Sequence, residues 1–454
     1  MNNNIKMPTF AAANKQKNNI MKKVLLGFAA LAIICLTQSC MQDVAQIEES
    51  PATGDFENLK VSPSFDWVTS KNITCTVNSN VPTNVEIYTD EACEEELLAK
   101  FTTQQGTNQL TLSIAQATDK LYLKYTATAS DAAKVMAATI DNATAIFSVT
   151  DGVQIQKAAT KAVITRAEDV PVENHTGYIA YPAGWGTVMF EDLYPALGDY
   201  DFNDFVASYQ ISVESPWRGN GYDMKHANLV RVHLRLKAIG GSQKFTPYVR
   251  IKGLNKNIVS MPNPPYGSPN YQNPEIKNNT TDGVEVSLVN NAPETDDAIV
   301  EFKNLNANNP YAVKGTSFYN TTQGKTTKEG ELTQVTVYLA LNKQVAVKDL
   351  LDDKIDIFLA SADKTKEIHL RGFDPVFAKY DYSVKGVSKN VTYASDKNLV
   401  WGLKIAKIIS HVVEKENFCN VYQDFAGWAQ SDGISNTNWY QTNVDKGKLI
   451  KWAK

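Results

Sequence analysis

Cysteine and histidine are scarce in this chain, with five of each in 454 residues. No Cys-x-x-Cys and no Cys/His spacing of a zinc site occurs, which leaves out a zinc-organised fold. The histidines, His175, His226, His233, His369 and His411, are scattered, and none has a local partner at catalytic spacing. His233 and His369 sit in alternating segments and read as satisfied sheet residues. The chain also lacks a serine elbow, a Walker loop and a dinucleotide fingerprint. It has no basic patch or arginine-rich stripe, which argues against nucleic acid as a partner. Beyond residue 40 no apolar run reaches the length of a membrane span. Helical periodicity is nearly absent; Tyr422 to Gln430 is the best candidate.

What is present at the N-terminus is processing signal. After an Asn/Lys-rich extension, Met21-Lys22-Lys23 forms a basic region, Val24 to Leu36 an apolar stretch, and Ser39-Cys40 closes it. Residues 1–40 therefore read as a secretory signal, too short in its apolar part to span a bilayer. A cysteine after small residues reads as a lipoprotein acceptor, so lipid on Cys40 is the expected attachment to the outer membrane. The leucine usual three places before it is Thr37 here, with Leu36 one place earlier; the alternative is ordinary cleavage that leaves Cys40 a spare thiol. The segment carries five of the 45 basic residues and none of the 49 acidic ones, so its removal leaves 40 against 49, a net charge of −9. Acidic residues follow at Asp43, Glu48 and Glu49. Cys75 and Cys93 are close in sequence, in a compartment that permits a bridge, and are a candidate disulfide. Two buried, unpaired thiols are the alternative.

The rest reads as all-β: a small N-terminal β-sandwich followed by a larger, jelly-roll-like β-sandwich. Residues 41–62 are expected to be a tether, 63–150 the first sandwich, 151–175 a linker poor in large apolar residues, and 176–454 the second sandwich. In the first, 73–77, 84–88, 110–114 and 121–125 alternate between turn-forming clusters, while 94–101 reads as a short helix or a strand edge. In the second, strands are expected at 186–190, 205–213, 229–238, 245–251, 284–288, 299–302, 332–341, 355–360 and 366–370. The proline- and tyrosine-bearing stretch 261–279 reads as a long loop, either a ligand contact or an extended crossover.

The most informative stretch is 191–204, where Glu191, Asp192, Asp199, Asp201 and Asp204 and the carboxamide of Asn203 are interleaved with apolar and aromatic residues. Asp199, Asp201 and Asn203 alternate with Tyr200 and Phe202; in extended backbone this puts oxygens on one face and aromatics on the other. Carboxylates this crowded repel unless a cation or donors compensate, and calcium takes about six to eight oxygens. An EF-hand does not fit: counted from Asp199, position 6 is Asp204 and position 12 is Gln210, and 205–213 reads as strand. The expected site is a calcium-organised turn, structural in role, with Glu191, Asp192, Asp199, Asp201, Asn203 and Asp204 as metal ligands. A metal-free turn held by Asp side chains on backbone donors is the alternative.

Phe190 to Pro195, then Gly198 to Val206, resembles the signature of the LruC-domain family, largely uncharacterised lipoproteins of Bacteroides-type bacteria. Tyr194 stands where that pattern often has Trp. Further matches are Glu367–Leu370, Asn398–Trp401, Phe425–Ala429 and Trp439-Tyr440; Arg371 follows where a proline is usual. The resemblance spans roughly 176–454. It implies a surface location and a β-rich fold, and carries no established activity.

The C-terminal aromatics Trp401, Tyr422, Phe425, Trp428, Trp439, Tyr440 and Trp452 read as core packing in preference to a glycan platform. The functional expectation is a lipid-anchored outer-membrane or cell-surface protein with a non-catalytic binding or architectural role. It would contact membrane lipid through the acylated cysteine, and a glycan or surface protein as partner. The alternatives are a glycan-capture protein of a polysaccharide-uptake system and, from another class, a divergent glycan-active hydrolase. The hydrolase would need an acid facing the cluster across a cleft, which one local cluster does not supply.

Overall fold

The computed structural model describes residues 55–126, 132–151, 177–262, 273–277, 283–305 and 318–453. Cys40, the signal segment, most of the expected linker and much of the 261–279 loop lie outside them. The described chain is all-β. Its first seven strands are β1 (Ser70–Ser79), β2 (Asn84–Tyr88), β3 (Leu97–Thr102), β4 (Gly106–Ala115), β5 (Lys120–Tyr125), β6 (Lys134–Thr139) and β7 (Thr144–Val149). From Gly177 follow β8 (Gly177–Phe190), β9 (Phe205–Ser215), β10 (His226–Ala238), β11 (Phe245–Asn255), β12 (Val259–Ser260) and β13 (Glu275–Lys277). Next come β14 (Glu285–Leu288), β15 (Asp297–Lys303), β16 (Gln334–Ala346), β17 (Ile355–Ser361), β18 (Glu367–Ile368) and β19 (Gly402–Ile405). Two short helices close the chain, α1 (Phe418–Val421) and α2 (Phe425–Gln430).

Three sheets result. One is the three-stranded β4-β1-β7, with β1 and β7 parallel. One is the five-stranded β14-β15-β11-β17-β18. The third is an eleven-stranded sheet running β12-β16-β10-β9-β8-β3-β2-β5-β6, with β13 added to β16 and β19 to β8. Alternation explains the layers: Val85, Ile87, Leu121 and Leu123 from the long sheet and Ile73, Val77, Leu110 and Leu112 from the small one point into a common apolar cluster. The same cluster continues through Val230, Val232, Leu234, Val335 and Val337 to Val249, Ile251, Val300 and Ile357 of the five-stranded sheet. The long sheet is thus one layer of two sandwiches.

This corrects three expectations. The regions 63–150 and 176–454 are not separate cores: Ala99 and Lys100 of β3 pair with Ile179 and Tyr178 of β8, and residues 52–454 form one compact unit. The described end of the expected tether is not a tether, because Phe56 and Leu59 are buried against the C-terminal aromatics. Cys75 and Cys93 are not bridged; both are free and buried, Cys75 on β1 and Cys93 in the turn after β2, and burial pushes the Cys75 thiol up to about 12.

Candidate metal centre

β8 and β9 are antiparallel neighbours with Phe190 opposite Phe205, so residues 191–204 leave the sheet and return to it at one point. The turn is therefore closed at its base, and its side chains are forced together. The backbone within it is not the extended one expected: Tyr200 and Phe202 are left-handed, with φ of 56° and 50°. Such residues cost about 1–2 kcal/mol each. Aromatic burial offsets this. Tyr200 stacks on Phe56 at 4.3 Å, and Phe202 meets Phe56 edge-on at 5.1 Å and Phe418 at 5.7 Å. The expected division into an aromatic and an oxygen side survives by this different backbone route.

On the oxygen side, Glu191, Asp199 and Asp201 each offer one carboxylate oxygen, all within 4.8 Å of one another. Glu191 is fully buried; its Oε1 accepts from the Phe202 amide at 2.7 Å, while its Oε2 has no hydrogen-bond partner. A Cβ on Gly198 would lie 1.8 Å from that Oε2, so only glycine allows this approach. Asp201 accepts from the Asn203 amide at 3.1 Å, from Asn203 Nδ2 at 2.8 Å and from the Lys415 amide at 2.8 Å. Asp199 is exposed and forms the solvent side of the group. Asn203 is buried and its Oδ1 also lacks a partner.

The remaining two predicted ligands, Asp192 and Asp204, are not among the three residues whose oxygens converge. Asp204 Oδ2 accepts from the Asp192 amide at 2.7 Å, and Asp192 Oδ2 from the Gln243 amide at 2.8 Å. Those two carboxylates hold backbone donors, as the alternative reading of the turn required. Burial, reinforced by neighbouring carboxylates, raises the affinity of the cluster for protons. Glu191 is pushed well above the usual range by burial and then by Asp204 and Asp201. Asp201 rises to about 8 through burial and Asp199, and Asp204 to about 7 through burial and Asp192.

Sequence reasoning missed the strap that covers the turn. Lys415 reaches Asp201, the Phe418 amide donates to Tyr200 O at 2.9 Å, and Glu414, itself raised by burial and Asp199, adds a further carboxylate. Nothing local to 412–418 signals this role. Trp401 also closes on the turn: its carbonyl accepts from the Glu191 amide, its Nε1 donates to Ala196 O at 2.8 Å, and Tyr194 lies edge-on at 4.9 Å. Trp401, Tyr422, Phe425, Trp428 and Trp439 are buried, as core packing required, while Tyr440 and Trp452 are half-buried at the edges of the apolar clusters. His233 is satisfied as expected, with Nδ1 3.0 Å from Thr336 Oγ1; burial lowers it to about 3.

Residues 227–440 match a family described as a domain of unknown function, DUF4842. That match contains Trp401 and Glu414 but not the 191–204 turn. The fold is similar to the crystal structure at 2.08 Å of a candidate lipoprotein from Bacteroides ovatus, with a TM-score of 0.56 and 20% identity, over 82% of this chain and 100% of that one. No curated protein matches. At that identity the likeness speaks to the all-β sandwich fold alone.

Proposed function

We propose that this is a lipid-anchored outer-membrane protein of the LruC type, exposed at the cell surface, with a non-catalytic binding or architectural role. In this reading Glu191, Asp199 and Asp201 hold Ca²⁺ that locks the 191–204 turn. The observation that carries the calcium reading is Glu191 Oε2, a fully buried carboxylate oxygen with no donor, beside two further carboxylates. Burying an unpaired carboxylate is costly, and a divalent cation reverses both that cost and the mutual repulsion. Carboxylates, a neighbouring carboxamide and solvent access at Asp199 are the hard oxygen ligands calcium takes. The non-catalytic reading is supported by the state of the three buried histidines, His233, His369 and His411. Burial lowers His233 and His411 to about 3, and His369 is held between two carboxylates.

Thermal unfolding of the purified protein in calcium and in chelator tests the metal. Calcium should raise the melting temperature, by about 2.7 kcal/mol of stabilisation at a hundredfold excess over its dissociation constant. The double substitution Asp199→Ala, Asp201→Ala should abolish the difference, and magnesium should substitute poorly. Identical melting in chelator and in millimolar calcium would overturn the metal reading and leave a turn held by hydrogen bonds.

A further inference from the structure

The long sheet has two faces: one packs into the main apolar cluster, and the other, apolar where Met189, Val206 and Ala238 meet the C-terminal core, is polar farther along. Directly opposed residues of an antiparallel pair share a face. Glu86 faces Lys100, Lys100 faces Tyr178, and Tyr178 faces Glu214. Gln210 shares that face with Glu214 by period two and stands opposite His233, which stands opposite Thr336. This polar face crosses β2, β3, β8, β9, β10 and β16. Its floor is nonetheless buried: Tyr178, Gln210 and His233 are 3%, 7% and 1% exposed.

A break in β8 builds the wall above that floor. The register jumps from Tyr181 opposite Ile211 to Gly186 opposite Tyr209, so residues 182–185 bulge out of the ladder. Gln210 secures the bulge by donating Nε2 to the carbonyls of Gly184 and Pro182. The bulge stands Trp185 against His233, with ring centres at 6.2 Å, and under the Arg235 guanidinium at 4.4 Å. Re-aiming a side chain next to a site is a recurrent use of such bulges. Between this wall and the Glu329–Leu332 turn lies a cleft of about 730 Å³, within the ~300–1,000 Å³ range of small-ligand sites.

We propose that this cleft binds a neutral oligosaccharide, with Trp185 as the stacking surface and Gln210, Gln334, Arg235, Lys100 and Glu86 addressing its hydroxyls. This deepens the binding role proposed above and makes no use of the acidic turn. The lining sets four glutamates against Lys100, Lys277 and Arg235, a balance of one negative charge. Glu86 pairs with Lys100 at 2.7 Å, and Arg235 donates to Gln334 at 3.0 Å. No net positive field remains for a phosphate-rich or polyanionic ligand. A ligand that exchanges many hydrogen bonds with mixed donors and acceptors, while offering an apolar C–H face to a half-buried indole, has the chemistry of a sugar ring.

The test is calorimetric titration, with tryptophan fluorescence in parallel, of the full detergent-extracted protein. The probes are maltotetraose, cellotetraose, mannotetraose and chitotetraose, with tetragalacturonate and tripolyphosphate as anionic comparators. At least one neutral sugar should bind saturably, and Trp185→Ala should weaken it about tenfold or more. Lys100→Met, at the part-exposed rim, should also weaken it and serves if Trp185→Ala does not fold. Absence of binding by all four neutral sugars at millimolar concentration would overturn the proposal. So would binding of the anions alone, or equal affinity in folded variants. Each titration is repeated in chelator: sugar binding with chelator-insensitive melting overturns only the calcium reading, and calcium-dependent melting without sugar binding overturns only this one.

Discussion

His369 shows how one side chain fixes a region of this fold. It is fully buried, with Nδ1 2.6 Å from Asp356 Oδ2 and Nε2 3.0 Å from Glu367 Oε2, and its ring stacks on Phe358 at 4.1 Å. Glu367 also accepts from the amides of Val376, Phe377 and Ala378, pinning the segment after β18. Burial by itself would lower the imidazole pKa, but Asp356 and Glu367 outweigh it and the net direction is up. For Glu367, burial raises and His369 lowers, and the net direction is down. The raised histidine contributes stability that is full below its unfolded value of 6.5 and lost as pH climbs through its folded value. The depressed glutamate contributes above 4.5, and this is lost as pH falls through its folded value. At fixed calcium this pair should therefore contribute most to the urea midpoint between these two pH values. His369→Phe leaves buried carboxylates unpaired and should cost about 3–5 kcal/mol. It should also lessen the decline on the alkaline side, the rest of which belongs to the raised carboxylates of the acidic turn; a variant with an undiminished decline would show that His369 does not contribute to it.

At the scale of elements, residues 55–67 behave as part of the C-terminal core. Phe56 meets Trp67, Tyr200, Phe202 and Phe425 with ring centres between 4.3 and 5.9 Å. Asn398 Nδ2 donates to the carbonyls of Ser62 and Phe65, and Trp67 Nε1 donates to Asn398 O. The segment thus supports, from behind, the aromatic side of the acidic turn. Phe56→Ala should cost about 3–5 kcal/mol in a denaturant titration, because the surrounding rings cannot collapse into the space. It should also weaken the calcium-dependent gain in melting temperature, since the left-handed residues Tyr200 and Phe202 lose their packing partner. An unchanged unfolding midpoint would show that the segment merely lies on the surface.

At the scale of the molecule, the shared sheet makes residues 52–454 one compact unit, and no helix among the described residues is long and apolar enough to cross a membrane. The proposed attachment is the lipid on Cys40. Cys40→Ala should move the protein from the membrane fraction to the soluble fraction, and labelled fatty acid should enter the wild type only. A variant that stays with membranes, beside an unlabelled wild type, would remove lipidation from the proposal.

Period-two patterning is local, so most strands could be read directly: 84–88 coincides with β2, and 121–125 and 205–213 lie within β5 and β9. The lysine- and alanine-bearing β6, and β7, where apolar Ile146 stands on the exposed side, carried too weak an alternation to be recognised. Crowded carboxylates are likewise a local property, and so 191–204 stood out as the candidate site before any partner was known. Pairing between distant strands has no such local signature. Which sheet β3 joins, which residues strap the turn from 412–418, and where a bulge in β8 stands Trp185 depend on register and on burial shared by segments far apart in the chain. The sequence by itself determined most of the strands and the charge of the turn. Only the tertiary structure decided that two sandwiches share one sheet, that Cys75 and Cys93 stay apart, and that Glu191 buries an oxygen without a donor, because each follows from what a distant segment places beside it.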